Sequence, residues 1–185
     1  AERYRGIEKQ LILALIGRDW IRPPPAAALN LVRPIAPPSG PAKVILQSFE
    51  SDSLDRLRVL APEVPRLLLL DEVLVSEVGW GSVLAKAKKV GSGVGTWGYR
   101  WARGPGWSQK ASSQRYMTTW PWYTGEVHQV GLFVHPWTID DRWEMWMLRL
   151  CGADGVFTNR PELAVLVYDR VSSINLGALW ERIGY

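Results

Sequence analysis

The sequence predicts an α/β fold built on a parallel sheet. Three observations carry that prediction. Short, unbroken apolar runs recur at Val44–Leu46, Leu67–Leu70 and Leu132–Val134, the pattern of strands buried on both faces. Segments with helical spacing separate them and are long enough for the crossovers that parallel neighbours require. Hydrophobic residues make up 47% and charged residues 22% of the 185 residues, which suits a globular domain and excludes a disordered or collagen-like chain.

Taken in order, residues Tyr4 to Gly17 read as a helix with one apolar face made by Ile7, Leu11, Ala14 and Leu15. The stretch Ile21 to Pro41 holds seven prolines; proline removes amide donors and fixes φ, so residues 18–42 are expected to form a Pro-rich surface loop. Val44-Ile45-Leu46 then begins a strand that ends at Gln47-Ser48-Phe49. A helix carrying Leu54, Leu57 and Leu60 follows, with Asp52 or Ser53 as its cap, and Pro62 and Pro65 close it. Leu67–Leu70 is a second strand, ending at Asp71. Ser82 to Lys89 is a weaker helix, and Gly93-Val94-Gly95 a third strand with little side-chain bulk. Thr124 to Gln129 is expected to be helical, and Leu132-Phe133-Val134 to run into His135-Pro136-Trp137-Thr138. Trp143, Trp146, Met147 and Leu150 share a helical face. Gly155–Thr158 is extended, Pro161 opens another helix, and Leu176, Leu179, Trp180 and Ile183 suggest a last one.

Four strand–helix units result, with strand-end markers at Gln47, Asp71, Thr96 and Trp137. Four units do not close a (β/α)8 barrel of about 250 residues. A doubly wound sheet could use four or five units, but it would need a glycine-rich phosphate turn after its first strand. The glycine-rich run Gly91–Gly95 overlaps a strand instead of opening a helix, so it is a poor nucleotide motif.

Composition limits the functional classes. Lys plus Arg is 22 and Asp plus Glu is 18, so the net charge is 22 − 18 = +4, too small to argue for nucleic acid by itself. Cys151 is the one cysteine, which removes an internal disulfide and a multi-cysteine zinc site. The wholly apolar runs, such as the six residues Leu11–Ile16 and the four of Leu67–Leu70, are far below the roughly 18 residues of a membrane span. The chain begins at Ala1 without a leader pattern, which is read as the start of a fragment.

Several stretches resemble the glycerophosphodiester phosphodiesterase family. Val44-Ile45-Leu46-Gln47-Ser48-Phe49, the following Leu/Arg helix and the step Val64-Pro65-Arg66-Leu67 are similar to its middle strands. His135-Pro136-Trp137-Thr138 looks like its Trp-Thr strand. Gly152-Ala153-Asp154-Gly155-Val156-Phe157-Thr158-Asn159-Arg160-Pro161 resembles its closing Gly-x-Asp-Gly…Thr-Asp-x-Pro signature, with Asn159 where the family usually has Asp. Arg5-Gly6-Ile7-Glu8 is similar to a helix earlier in the barrel, and the resemblance runs from about Arg5 to Val167.

The resemblance implies a TIM barrel that hydrolyses glycerophosphodiesters to glycerol phosphate and an alcohol with a divalent cation (Ca or Mg). It also implies that this chain is the C-terminal half of such a barrel, an incomplete TIM (β/α)8 barrel with about strands 5–8. The family's His-Arg-Gly, acidic metal pair, second histidine and Glu-x-Lys have no counterpart here. Neither an acid–base pair nor metal ligands are therefore expected from this chain. The missing half, or another copy of the chain, would be its partner.

Gln47, Phe49 and Trp137 are the candidate substrate-binding residues, because barrel sites form at strand C-terminal ends; the competing reading is rim core. Asp71 is a turn residue or a substrate contact. Asp140 and Asp141 are helix caps or a metal pair. His135 is a wall residue or a proton donor, His128 a surface residue, and Cys151 inert packing. No acid falls between Val78 and Gly125, where Lys86, Lys88, Lys89, Arg100, Arg103, Lys110 and Arg115 interleave with tryptophans. This Trp/basic insertion, residues 97–124, is a solvated loop, a contact for membrane headgroups, or, least favoured, a nucleic-acid groove. The runner-up to the enzyme reading is a non-catalytic half-barrel module that binds anions or phospholipid headgroups.

Overall fold

A computed structural model describes residues 6–18, 20–21, 44–98 and 119–168. The elements in chain order are α1 (Ile7–Ile16), β1 (Leu46–Ser48), α2 (Ser51–Leu60), β2 (Arg66–Leu69), α3 (Glu72–Val78), α4 (Trp80–Val90), β3 (Gly93–Gly95), α5 (Pro121–Gln129), β4 (Phe133–Val134), α6 (Arg142–Leu150) and α7 (Pro161–Tyr168). All four strands are parallel, in the order β1-β2-β3-β4. A doubly wound sheet reverses its order at a switch point; the uninterrupted order here is that of a barrel wall, and the predicted strands are present where expected.

Beyond β4, residues 153–157 run extended alongside it. Asp154 N–H donates to the Val134 carbonyl (3.0 Å), Phe157 N–H to the Pro136 carbonyl (2.8 Å) and Ile139 N–H to the Phe157 carbonyl (2.9 Å). This is a fifth ribbon, one more than the four units counted from the sequence.

The sheet has two unlike faces, and strand parity explains them. Leu46, Leu68, Leu70, Val94 and Val134 join Leu54, Leu57, Val83, Leu84, Ala87, Val90 and Val127 in one buried cluster beneath the helices. The alternate residues form the inner face. The register puts Gln47 beside Leu67, Leu67 beside Gly93, and Gly93 beside Phe133. A Cβ on Gly93 would lie 2.6 Å from Leu67 Cδ2, and one on Gly95 would lie 2.5 Å from Leu69 Cδ2. The two glycines are therefore where the neighbouring leucines of β2 lie flat across the sheet, and this accounts for the low side-chain bulk of β3.

Among the described residues Arg66 is the largest fully buried side chain. Its guanidinium donates to the carbonyls of Val90 (3.2 Å), Ala61 (2.9 Å) and Val64 (2.5 Å). These carbonyls follow the ends of α2 and α4, where helices leave acceptors unpaired. Burial lowers its pKa to about 10, still well above neutrality, so it remains a cation at the negative ends of two helices.

Some expectations are corrected. The apolar face of α1 is shifted: Leu15 is buried as expected, but Ile7, Leu11 and Ala14 are exposed, and Glu8 and Ile12 are buried in their place. Glu8 is buried because Arg56 (2.6 Å) and Ser53 (2.9 Å) on α2 meet its carboxylate. On α6 the shared face is present and is the outward one. Met145 and Leu148 pack with Ile139, Ala153 and Val167, whereas Trp143, Trp146, Met147 and Leu150 are exposed. Helix α3 was not expected; Asp71 caps it by accepting from Leu74 N–H (2.7 Å), and Gly79 ends it at φ 80°. Helix α5 begins at Pro121 rather than Thr124. Most of the Pro-rich loop, residues 99–118 of the Trp/basic insertion and the suggested C-terminal helix lie outside the described residues.

Candidate functional site

The inner face of the sheet and the loops after its strands gather most of the polar candidates. Gln47 lies on β1 and Phe49 just after it, both exposed. Trp137 follows β4. Phe49 and Trp137 meet edge to face with ring centroids 5.5 Å apart, a favourable arrangement of ring quadrupoles. The three predicted substrate residues thus share one face at the strands' C-terminal ends.

Trp137 is fixed from three sides. Its indole Nε1–H donates to the Gly95 carbonyl (2.8 Å). Its backbone N–H donates to the Thr96 carbonyl (2.8 Å), and its carbonyl accepts from Gly98 N–H (2.9 Å). A Cβ on Gly95 would lie 3.2 Å from Trp137 Cδ1, so glycine leaves the space the indole uses. The result is a rigid, half-buried aromatic wall between β3 and β4.

His135 also lies on the inner side. Burial pushes its pKa down, opposed by the Asp154 carboxylate, so the ring is held neutral more firmly than a solvated histidine. Its imidazole meets Phe157 at 5.8 Å, and Gly155 leaves it room, since a Cβ there would lie 3.2 Å from Nε2. His128 is an exposed residue of α5 and lies 2.9 Å from Asp154 Oδ2. Asp154 also accepts from Val134 N–H (2.8 Å) and so ties the fifth ribbon to β4.

The acids are occupied with loop structure. Asp71 is a cap, as described. Asp141 caps α6 by accepting from Trp143 N–H (2.9 Å) and Glu144 N–H (3.0 Å). Asp140 caps nothing. It accepts from Thr158 Oγ1–H (3.0 Å), Asn159 N–H (2.7 Å) and Asn159 Nδ2–H (3.0 Å). These bonds, chiefly those from Asn159, lower its pKa. The Asp140–Asn159 clamp joins the loop after β4 to the loop after the fifth ribbon. Sequence spacing gave no sign of it, because the partners are 19 residues apart.

Among the described residues no cluster of three or more His, Cys, Asp or Glu could hold a metal ion. With Asp71, Asp140 and Asp141 each accepting hydrogen bonds, the described part of the chain does not fit a divalent-cation site. The Cys151 thiol is partly buried and its pKa is raised by burial, in keeping with packing rather than reactivity.

The model of the glycerophosphoryl diester phosphodiesterase family matches residues 26–163. The chain belongs to that family. It is similar to a glycerophosphodiester phosphodiesterase of Bacillus subtilis (strain 168), at 27% identity over 162 residues, which are 88% of this chain and 44% of the relative. A crystal structure from Silicibacter pomeroyi DSS-3, with a provisional assignment to the same activity, matches with a TM-score of 0.47 and 19% identity. That match covers 69% of this chain and 38% of the other. The family member described here thus spans less than half the length of these relatives. The family's fold is the TIM barrel, and the parallel, consecutively ordered sheet agrees with that architecture.

Proposed function

We propose that this chain forms one wall of the substrate site in a metal-dependent glycerophosphodiester phosphodiesterase. The reaction would be hydrolysis of a glycerophosphodiester to glycerol 3-phosphate and an alcohol. The observation that carries the reading is the convergence of Gln47, Phe49 and Trp137 on the inner face at the strands' C-terminal ends, with Phe49 and Trp137 in contact. The pinned indole presents an apolar plane to the carbon skeleton of the glycerol moiety. The Gln47 amide offers a donor and an acceptor for a hydroxyl or a phosphoryl oxygen. His135, kept neutral, lines the same face.

The metal and the proton-moving groups would come from elsewhere in the barrel, since the candidate acids Asp71, Asp140 and Asp141 are engaged in caps and the loop clamp. In the complete site the cation would neutralise phosphoryl charge. Two features support an incomplete barrel. Among the described residues β1 pairs with β2 alone, and the inner-face residues Ile45, Phe49 and Phe133 are exposed, where a closed barrel would pack them. The complement would be the other half of the barrel or a second copy.

Titration of the chain with glycerol 3-phosphate, followed by tryptophan emission, tests the wall. Saturable quenching that Trp137→Ala and Gln47→Ala weaken is expected. No response, or an equal response in both variants, removes the site. Release of choline from glycerophosphocholine by the chain alone would contradict the assignment of the catalytic groups to another part of the barrel.

A further inference from the structure

Among the described residues, the strands' inner face carries a single ionisable side chain. The inner positions alternate with the core residues Leu46, Leu68, Val94 and Val134. They hold aliphatic, aromatic and glycine residues, the Gln47 amide and, just after β4, His135. The next ionisable group toward the mouth is Asp71, an acid that caps α3. Arg66 lies on the other side of the sheet, bonded to helix-end carbonyls.

The imidazole of His135 is also unengaged. Neither ring nitrogen makes a hydrogen bond to a described residue, and its ring contact is Phe157, edge to face at 5.8 Å. Gly155 has no side chain where a Cβ would lie 3.2 Å from Nε2, so the fifth ribbon leaves that edge of the ring uncovered. The charged group facing His135 is the Asp154 carboxylate of the same ribbon, itself held by His128 of α5 (2.9 Å) and by Val134 N–H (2.8 Å). Beside it β3 presents Gly95, and β4 presents Phe133 and Trp137, none of which titrates near neutrality.

We propose that His135 is the anion contact of this wall: it takes a proton from solvent as a phosphodiester enters and holds the phosphoryl oxygens as an imidazolium. The inference rests on the substrate-wall reading and adds to it the group that recognises the phosphodiester. An anion set unpaired against an apolar wall is costly, and an opposite charge within about 4–6 Å favours the charged form of a titrating group. Burial holds the free ring neutral, so proton and ligand bind together. Affinity rises as pH falls through the pKa of the ligand-bound ring and levels off below that of the free ring. A diester suits the test because its negative charge is fixed across this range. The chain has two histidines, and the other, His128, is exposed on α5.

Calorimetric titration of the full chain with glycerophosphocholine, between about pH 5 and 8 and in buffers of unlike ionisation enthalpy, tests it. Binding about tenfold or more tighter at the acid end is expected, with uptake of about one proton per ligand in mid-range. His135→Gln keeps an amide donor but cannot titrate, so proton uptake should vanish and affinity become flat in pH. Gly155→Ala sets a methyl against Nε2 and should weaken binding several-fold at acid pH. Trp137→Ala should weaken binding at every pH while proton uptake persists. Binding without proton uptake, uptake unchanged in His135→Gln, or full affinity in Gly155→Ala overturns the proposal and leaves the wall standing. No binding at any pH removes the wall and the proposal with it.

Discussion

Replacing Arg66 with Ala perturbs the most buried charge in the structure. The guanidinium is fully buried and donates to four carbonyls, those of Ala61, Pro62, Val64 and Val90, beside the ends of α2 and α4. Hydrogen bonds from a charged donor contribute about 1.5–3 kcal/mol each. Against them stands the cost of burying the ion. A pKa lowered to about 10 from 12.5 places that cost at roughly 3 kcal/mol, and Nη2 is buried without a partner among the described residues, which adds about 1–3 kcal/mol. Removing the side chain recovers the ionic penalty but strands the carbonyls and leaves a cavity. The expected net loss is about 3–5 kcal/mol. For a chain of this length that lowers Tm by roughly 6–20 °C. Arg66→Lys keeps the charge but concentrates its donors at one nitrogen, so about 2 kcal/mol is expected to be lost. Thermal unfolding of both variants followed by far-ultraviolet circular dichroism measures this. A loss below about 1 kcal/mol for Arg66→Ala would refute the view that Arg66 holds two helix ends.

Other outcomes follow from the same geometry. Gly95→Ala puts a methyl 2.5 Å from Leu69 Cδ2 and 3.2 Å from Trp137 Cδ1; Trp137 emission should change and glycerol 3-phosphate quenching should fall at least several-fold, with stability down by about 1–3 kcal/mol. His135 has a folded pKa below its unfolded value, so the unfolded chain binds the extra proton. Stability should rise with pH through the window below about 6.5 and be lost as pH falls through the folded pKa; His135→Gln should flatten that slope in urea titrations at several pH values. The Glu8 carboxyl is held low chiefly by its hydrogen bond from Arg56. Its contribution should be present above about 4.5 and vanish as pH drops through the folded value, so Glu8→Gln should remove part of the acid limb of the stability profile. Asn159→Asp sets a second carboxylate against Asp140 in place of a donor; Tm should fall at neutral pH and recover on acidification, whereas a uniform fall at all pH values would argue against the clamp.

The strands were legible because continuous apolar runs have few other uses, and Gln47, Phe49 and Trp137 could be placed at strand ends from those runs alone. The family motifs, too, were readable as sequence. Two helix faces were not. In α1 and α6 apolar residues lie on more than one side, so periodicity allows two orientations. Tertiary partners chose between them: the Arg56–Glu8 contact in α1, and the packing of Met145 and Leu148 near α7 in α6. Helix α3 escaped notice because seven residues give too few turns for a period to stand out from its neighbours.

By itself the sequence determined the repeating strand–helix order, the family and the residues at the strand ends, since each depends on local pattern. Only the tertiary structure decided that Arg66 is a buried cap for two helices, that Asp140 clamps Asn159, that a fifth ribbon joins β4, and that two tryptophans of α6 face outward. Each of these depends on which distant residues become neighbours, and the free energy that selects them lies in packing and paired polar groups rather than in any stretch of sequence.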